Sequence, residues 1–389
     1  MGKNLFESIA CRLGQKAAQA KNAFDLIGGT EEDSLHAEIR LGRDLAAACR
    51  DHFSRPVNFV LWGAAEIAIA ACDLAEVIGS AIALNLIFHI PLLLGVCLTA
   101  LDVLIILFLQ QKGFRFLEAL VVSLIATVSV CFGLEILFSR PSLAGLAHSF
   151  FVPSPQILRD PGMLYIAIGI LGATVMPHNL YLHSAIVQTR AFARTSEGKR
   201  EAIRFSTIDS TIALTIALLV NAAILIVSAA SFYRNGYHQV AEIQDAYKLL
   251  TPLLGVTGAS TVFALALLAS GQNSTLTGTL AGQIVMEGFL NIRLRPWLRR
   301  LLTRSLAIIP AVIVTALSGE AGTAKLLVLS QVILSMQLSF AVFPLVMFTS
   351  DKQKMGEFVN PRWLKTLSWV TAAFIAILNA WLLVQTFRT

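Results

Sequence analysis

The sequence predicts an all-α polytopic membrane protein, and three observations carry that prediction. Hydrophobic residues make up 56% of the chain and charged residues 14%, where soluble domains carry roughly 25% charged residues. Mean hydropathy is +0.71, so a chain of this composition could not keep a soluble surface. About nine apolar runs follow one another, each near the ~20 residues that cross a bilayer. They lie at roughly 57–81, 86–110, 116–138, 163–190, 206–233, 254–286, 301–318, 324–349 and 364–387. Basic residues then gather in alternate connectors: nineteen in one set, from Arg43 to Lys365, against six in the other with the C-terminal tail. Positive charge marks the cytoplasmic side, so the N-terminus is expected inside and the C-terminus outside.

Residues 1–40 form a separate amphipathic and polar segment ahead of a transmembrane domain over 41–389. Within it, residues 5–27 predict an amphipathic helix stopped by Gly28 and Gly29, and Thr30 with Asp33 can open a second as a capping box. The segment lacks the short apolar core of a secretory signal and reads as solvated or lying on the membrane surface. The net charge of +6 does not indicate nucleic acid, because the basic residues sit in short connectors. Cys11, Cys49, Cys72, Cys97 and Cys131 form no CxxC pair and read as small buried hydrophobes. No nucleophile–base constellation or nucleotide loop is present, so an enzyme is not predicted.

Polar residues inside the spans locate function, because an ionisable group in a bilayer is expensive. Glu66, Asp73 and Glu76 share one face of the first span, at spacings of about two turns and one turn. They line a proton or ion route, or they pair with buried cations and brace helices. Asp102 in the second span and Glu135 in the third read as single satisfied groups. The fourth span contains Gly172-Ala173-Thr174-Val175-Met176-Pro177-His178-Asn179 and then His183. Pro177 interrupts the helix there, and a break at that depth is tolerated where it lines a cavity. Met176 offers a soft thioether beside the break, and His178 and His183 can carry protons near neutral pH. The sixth span, Gly271 to Gln283, is dense in small and hydroxyl residues that suit close helix packing. The eighth carries Ser330-Gln331 and Ser335-Met336-Gln337, whose amides suit a cation or a polar network.

Together these motifs resemble the Nramp family of proton-coupled manganese and iron transporters, in its bacterial manganese transporter form. The run Asp73-Leu-Ala-Glu76-Val-Ile-Gly79 through Asn85 is similar to the family's third helix, and Ala173 through Ser184 to its sixth. Gly271 through Gly288 is similar to its eighth and Gln331 through Gln337 to its tenth. The resemblance covers about residues 41–389 and implies a LeuT-like fold of two inverted five-helix repeats. It implies inward movement of manganese(II) and iron(II) with protons, across a cell membrane (inner or plasma). Met176 would supply a sulfur ligand, Ala173 a carbonyl and Gln331 a ligand in some states. Asp73, Glu76, His178, His183, Arg190 and Arg299 or Arg300 would form the polar network used by protons, with Asn221 as a further polar position. No cofactor is implied; the metal is cargo, and the partners are divalent metal ions, protons and the lipid bilayer, with no nucleic acid.

Two departures from the family pattern stand out. Ser339 occupies a position where the family usually has proline, which would soften a helix break. The family's first helix carries an Asp-Pro-Gly-Asn motif that binds metal, and no such string occurs here; Asp160-Pro161-Gly162-Met163 is the nearest and falls in an outside connector. The nine spans therefore match the family's third to eleventh helices, an incomplete inverted repeat. On this reading the chain alone is expected to bind manganese weakly, with self-association or an N-terminal fragment as the ways to complete the site. The alternatives are a non-transporting Nramp-like sensor or scaffold, or an organic-substrate carrier of the same fold.

Overall fold

The computed structural model describes residues 44–99, 114–142, 145–146, 160–188, 195–237, 243–292 and 295–386. The expected amphipathic segment at 5–27, Asp102 and Arg190 lie outside them. In chain order the helices are α1 (Leu45–His52), α2 (Arg55–Phe88), α3 (Leu92–Thr99), α4 (Phe114–Ser139), α5 (Pro161–Thr174) and α6 (Pro177–Gln188). They continue with α7 (Ser196–Ser231), α8 (Ile243–Leu254), α9 (Ala259–Leu290), α10 (Pro296–Thr349), α11 (Lys352–Met355) and α12 (Arg362–Thr386).

Seven stretches among the described residues are long and apolar enough to cross a membrane. Two of the nine expected spans are not among them. The second is described only in part, as α3, and the sixth, α9, is a 32-residue helix whose hydroxyl and amide residues dilute its hydropathy. The seventh and eighth spans run together as α10. Gly319, at φ 61° and ψ −145°, breaks that run into arms Leu301–Gly319 and Gly322–Thr349. Such a conformation is open to glycine and disfavoured for a residue with a Cβ.

The expected first span is longer than its apolar run. Pro56 opens α2 in the first turn, and His89 closes it in the left-handed region at φ 55°. Asn85 secures that end by donating from Nδ2 to the Ile90 carbonyl at 2.8 Å. In α2, 78% of the most apolar window is buried inside the protein, against 22–50% in the other spans, so α2 is the central helix. Its faces join two cores. One includes Leu61, Ala65 and Ile69 with Tyr181, Phe289 and Phe348; the other includes Val77, Ile78 and Ala81 with Ala264, Ala307 and Ala311.

Short polar contacts fix the ends of the bundle. Asp44 caps α1, its Oδ1 accepting from Ala47 N at 2.7 Å, and Leu45 N donates to Ser184 Oγ at 2.9 Å. The last carbonyls of α9 receive Arg50 Nη1 at Gly288 (2.6 Å) and Asn58 Nδ2 at Phe289 (2.9 Å). A cation at a helix C-terminus is favoured by the helix dipole.

A close approach of two helices lies beside the break in the fourth span. A Cβ on Gly172 would fall 2.5 Å from Ser335 N and 2.8 Å from Ser335 Cβ, and closer still to the Gln331 carbonyl oxygen. Ser335 N and the Gln331 oxygen are backbone atoms of α10, and Cβ is fixed to that backbone, so none can turn aside. Gly172→Ala is expected to cost about 1–3 kcal/mol by overpacking, read as a lower melting temperature in detergent. Gly133→Ala, with open space at its Cβ, serves as the unchanged control.

Candidate functional site

The expected break in the fourth span is present. Between α5 and α6, Val175 leaves the helix at φ −104° and ψ 76°, and Asp160 with Pro161 starts the leading half. Asp160 Oδ1 accepts from Gly162 N at 2.8 Å, so the Asp-Pro-Gly string of the connector is a helix cap. The residue four on from Ala173 is Pro177, which has no N–H, so the helix cannot satisfy the Ala173 carbonyl.

A cavity of about 340 Å³ opens against this break. Ala173, Thr174, Met176 and Asn179 line it from the broken span, Asn221 from α7, and Ser270, Asn273, Ser274 and Thr277 from α9. Two of the three expected metal ligands, Met176 and Ala173, thus share one cavity with Asn221. Gln331 is not among its lining residues: its amide donates to Ser330 Oγ at 3.1 Å while its main chain packs on Gly172. Asn179 is buried, and its Oδ1 has no hydrogen-bond partner among the described residues. A thioether, a freed carbonyl and amide oxygens together suit a divalent transition metal better than magnesium or calcium, which take oxygen ligands only. All of these donors are neutral, and among the described residues no three His, Cys, Asp or Glu side chains gather to hold an ion.

Beside this cavity, α2 presents its acidic face to two arginines of α10. Arg299 Nη2 bridges both Glu66 oxygens, at 2.9 and 3.0 Å, and Trp62 Nε1 donates to Glu66 Oε1 at 3.0 Å. Arg304 Nη1 lies 3.6 Å from Glu76 Oε2 and 3.9 Å from Asp73 Oδ1, with Nη2 donating to the Thr99 carbonyl at 3.2 Å. All three of these side chains are within 4% of complete burial. Ser274 donates from Oγ to Glu76 Oε1 at 2.5 Å. The small residues of α9 make this possible: a Cβ on Gly278 would meet Asp73 and Glu76, and one on Gly282 would fall 2.7 Å from Arg299 Nη2. The small-residue packing expected of the sixth span is therefore what lets α9 close over the charges.

Arg304 was expected in a connector, and the structure corrects that. It is 1% exposed, and Arg299 is 6% exposed. Setting both aside leaves seventeen basic residues against six, so the charge asymmetry keeps its direction. The signal for Arg304 was its position at the head of an apolar run, five residues past Arg299 on a helix with carboxylate-bearing neighbours. The side chain of Arg300 lies outside the described residues. His178 and His183 are buried on α6, at 1% and 3% exposure. Ser339 does not mark a break: α10 continues through it, and its Oγ accepts from Asn379 Nδ2 at 3.0 Å. Glu135, expected to be a satisfied group, is fully buried with neither oxygen partnered among the described residues.

The model of the Natural resistance-associated macrophage protein-like family, Nramp, matches residues 39–385. This chain belongs to the Nramp family. A divalent metal cation transporter MntH of Listeria welshimeri is 69% identical over 351 residues, covering 90% of this chain and 78% of that relative. The protein of the same description from Nostoc sp. is 67% identical over 347 residues, covering 89% and 78%. The crystal structure of the Eremococcus coleocola manganese transporter in complex with an aromatic bis-isothiourea substituted compound superposes with a TM-score of 0.83. It is 40% identical, covering 94% of this chain and 78% of that one. The helical architecture is accordingly the LeuT-like one of Nramp transporters, and the protein is a multi-pass membrane protein.

Proposed function

We propose that this Nramp chain carries divalent transition-metal ions, manganese(II) or iron(II), across the cell membrane together with protons. One observation supports the coupling above the others. Ser274 lines the cavity at the broken helix and donates its hydroxyl proton to Glu76, a carboxylate of the buried cluster. An ion in the cavity and the charge on Asp73 and Glu76 therefore act on one side chain. Two carboxylates face one guanidinium, so the cluster is neutral when it holds one proton and negative when it holds none. The positive charge of a metal ion nearby favours the second state. Metal entry and proton release from the cluster are linked through that charge.

Met176 and the Ala173 carbonyl would receive the ion from one side and the amides of Asn179 and Asn221 from the other. These donors are neutral, so the cavity lining itself does not offset the charge of a divalent ion. The metal is cargo and not a resident cofactor. The basic connectors support a cytoplasmic N-terminus and an outside C-terminus, which impermeant labelling of terminal tags checks.

Uptake into vesicles tests the reading. Met176→Ala is expected to keep manganese uptake within a few-fold while calcium and magnesium compete more strongly than in the unsubstituted protein. The thioether discriminates against hard ions, and removing it leaves oxygen donors that do not. Unchanged exclusion of calcium and magnesium would remove Met176 from the ligand set.

A further inference from the structure

Glu135 sits in α4, one turn before the helix ends at Ser139, with 0% of its surface exposed. Neither carboxyl oxygen has a hydrogen-bond partner among the described residues. Cys131, Phe132 and Ile136 flank it on its own helix and pack into apolar clusters with Val227 of α7 and with Phe263 and Ala266 of α9. The asymmetry between its two charge states is large. An ionised carboxylate without donors in such surroundings costs several kcal/mol, and a neutral carboxyl far less.

Among the described residues, the ionisable groups brought to this end of the bundle do not offset a charge there. Along α9 there is none from Ala259 to Gln283, and along α7 none from Ser210 to Ser231. α8 contributes Tyr247 and the exposed pair Asp245 and Lys248, which face each other at 3.8 Å. Tyr233, Arg234 and Arg140 are exposed at the helix ends, and Cys131 is the thiol on the same helix. A divalent ion needs six or so oxygen ligands, which these apolar neighbours do not supply. The ion that fits a lone carboxyl here is the proton.

We propose that Glu135 is a proton-binding site within the bundle of α4, α7 and α9, separate from the Asp73–Glu76–Arg304 cluster. Ala266 and Gly278 mark the two sites along α9, roughly 18 Å apart at 1.5 Å per residue. Parting of α7 from α4 wets the carboxyl and releases its proton, so occupancy of the site follows the packing of this bundle. The site goes beyond the metal-carrier reading, and its test does not depend on transport.

The test is infrared spectroscopy of the full chain in lipid vesicles near neutral pH. Glu135→Gln is expected to remove one carbonyl-stretch band of a protonated carboxyl from the spectrum. A folded Glu135→Gln protein whose band pattern equals that of the unsubstituted chain would overturn the proposal. If that variant fails to accumulate, Glu135→Asp replaces it, and the band is then expected to shift; an unmoved band overturns the proposal equally. Loss of metal uptake with the band intact would count against the carrier reading alone.

Discussion

Arg304→Ala is expected to leave almost no protein in the membrane fraction. The guanidinium is 2% exposed and faces two carboxylates that are 1% and 4% exposed. Removing one partner of a buried ionic set leaves uncompensated charge, at a cost of about 3–5 kcal/mol, which is a large share of the stability of a typical domain. Arg304→Lys keeps the charge but loses the fork that reaches Thr99 and both acids, and an intermediate loss is expected. The triple variant Arg304→Met, Asp73→Asn, Glu76→Gln removes all three charges and should restore accumulation. Metal-linked acidification, followed with a pH dye, should be absent from it. If the triple variant accumulates and still acidifies, the cluster is only a brace. Arg299→Ala is expected to cost less, because Glu66 is 21% exposed and water can take over its solvation.

Manganese is expected to bind the 389-residue polypeptide weakly, with a Kd of about 1 mM or above, in calorimetric titration. Taking a divalent ion from water needs several oxygen ligands and nearby negative charge, and the cavity offers Met176, Asn179, Asn221 and hydroxyls. Asn221→Asp is the complementary test, since it places a carboxylate in the cavity wall. At an effective dielectric of about 20, two unit charges 4 Å apart interact by about 4 kcal/mol, and desolvation cancels part of that gain. A net tightening of about 10–100-fold is expected, or 1.4–2.8 kcal/mol. Micromolar binding by the unsubstituted chain would show that the polypeptide supplies its own charged donor.

Much of this was legible in the sequence because membrane constraints are strict. An apolar run of about 20 residues has few uses, and a proline flanked by Met176 and His178 inside one marks a broken helix. The cavity followed from that break, and the shared face of Glu66, Asp73 and Glu76 from their spacing on one helix. What stayed hidden depends on distance across the bundle. Arg304 read as a connector residue because its role is set by α2, far away in sequence. Ser274 read as packing because hydroxyls and glycines at helical spacing serve both purposes. Ser339 read as a softened kink because no local rule announces Asn379 on another helix. Glu135 read as satisfied because most buried carboxyls are.

The separation between the central helix and its counter-charges has a consequence for biosynthesis. Glu66 and Arg299 lie 233 residues apart. At about 5–20 residues per second, Arg299 emerges roughly 10–50 s after its partner. During that interval α2 carries three acidic side chains toward lipid without a cation from α10, and each acidic residue near mid-bilayer raises the insertion cost by about 2.5–3.5 kcal/mol. The helix most deeply embedded in the finished protein is thus the one least able to settle in lipid when first made. Its stable insertion is therefore expected to depend on the arrival of α10.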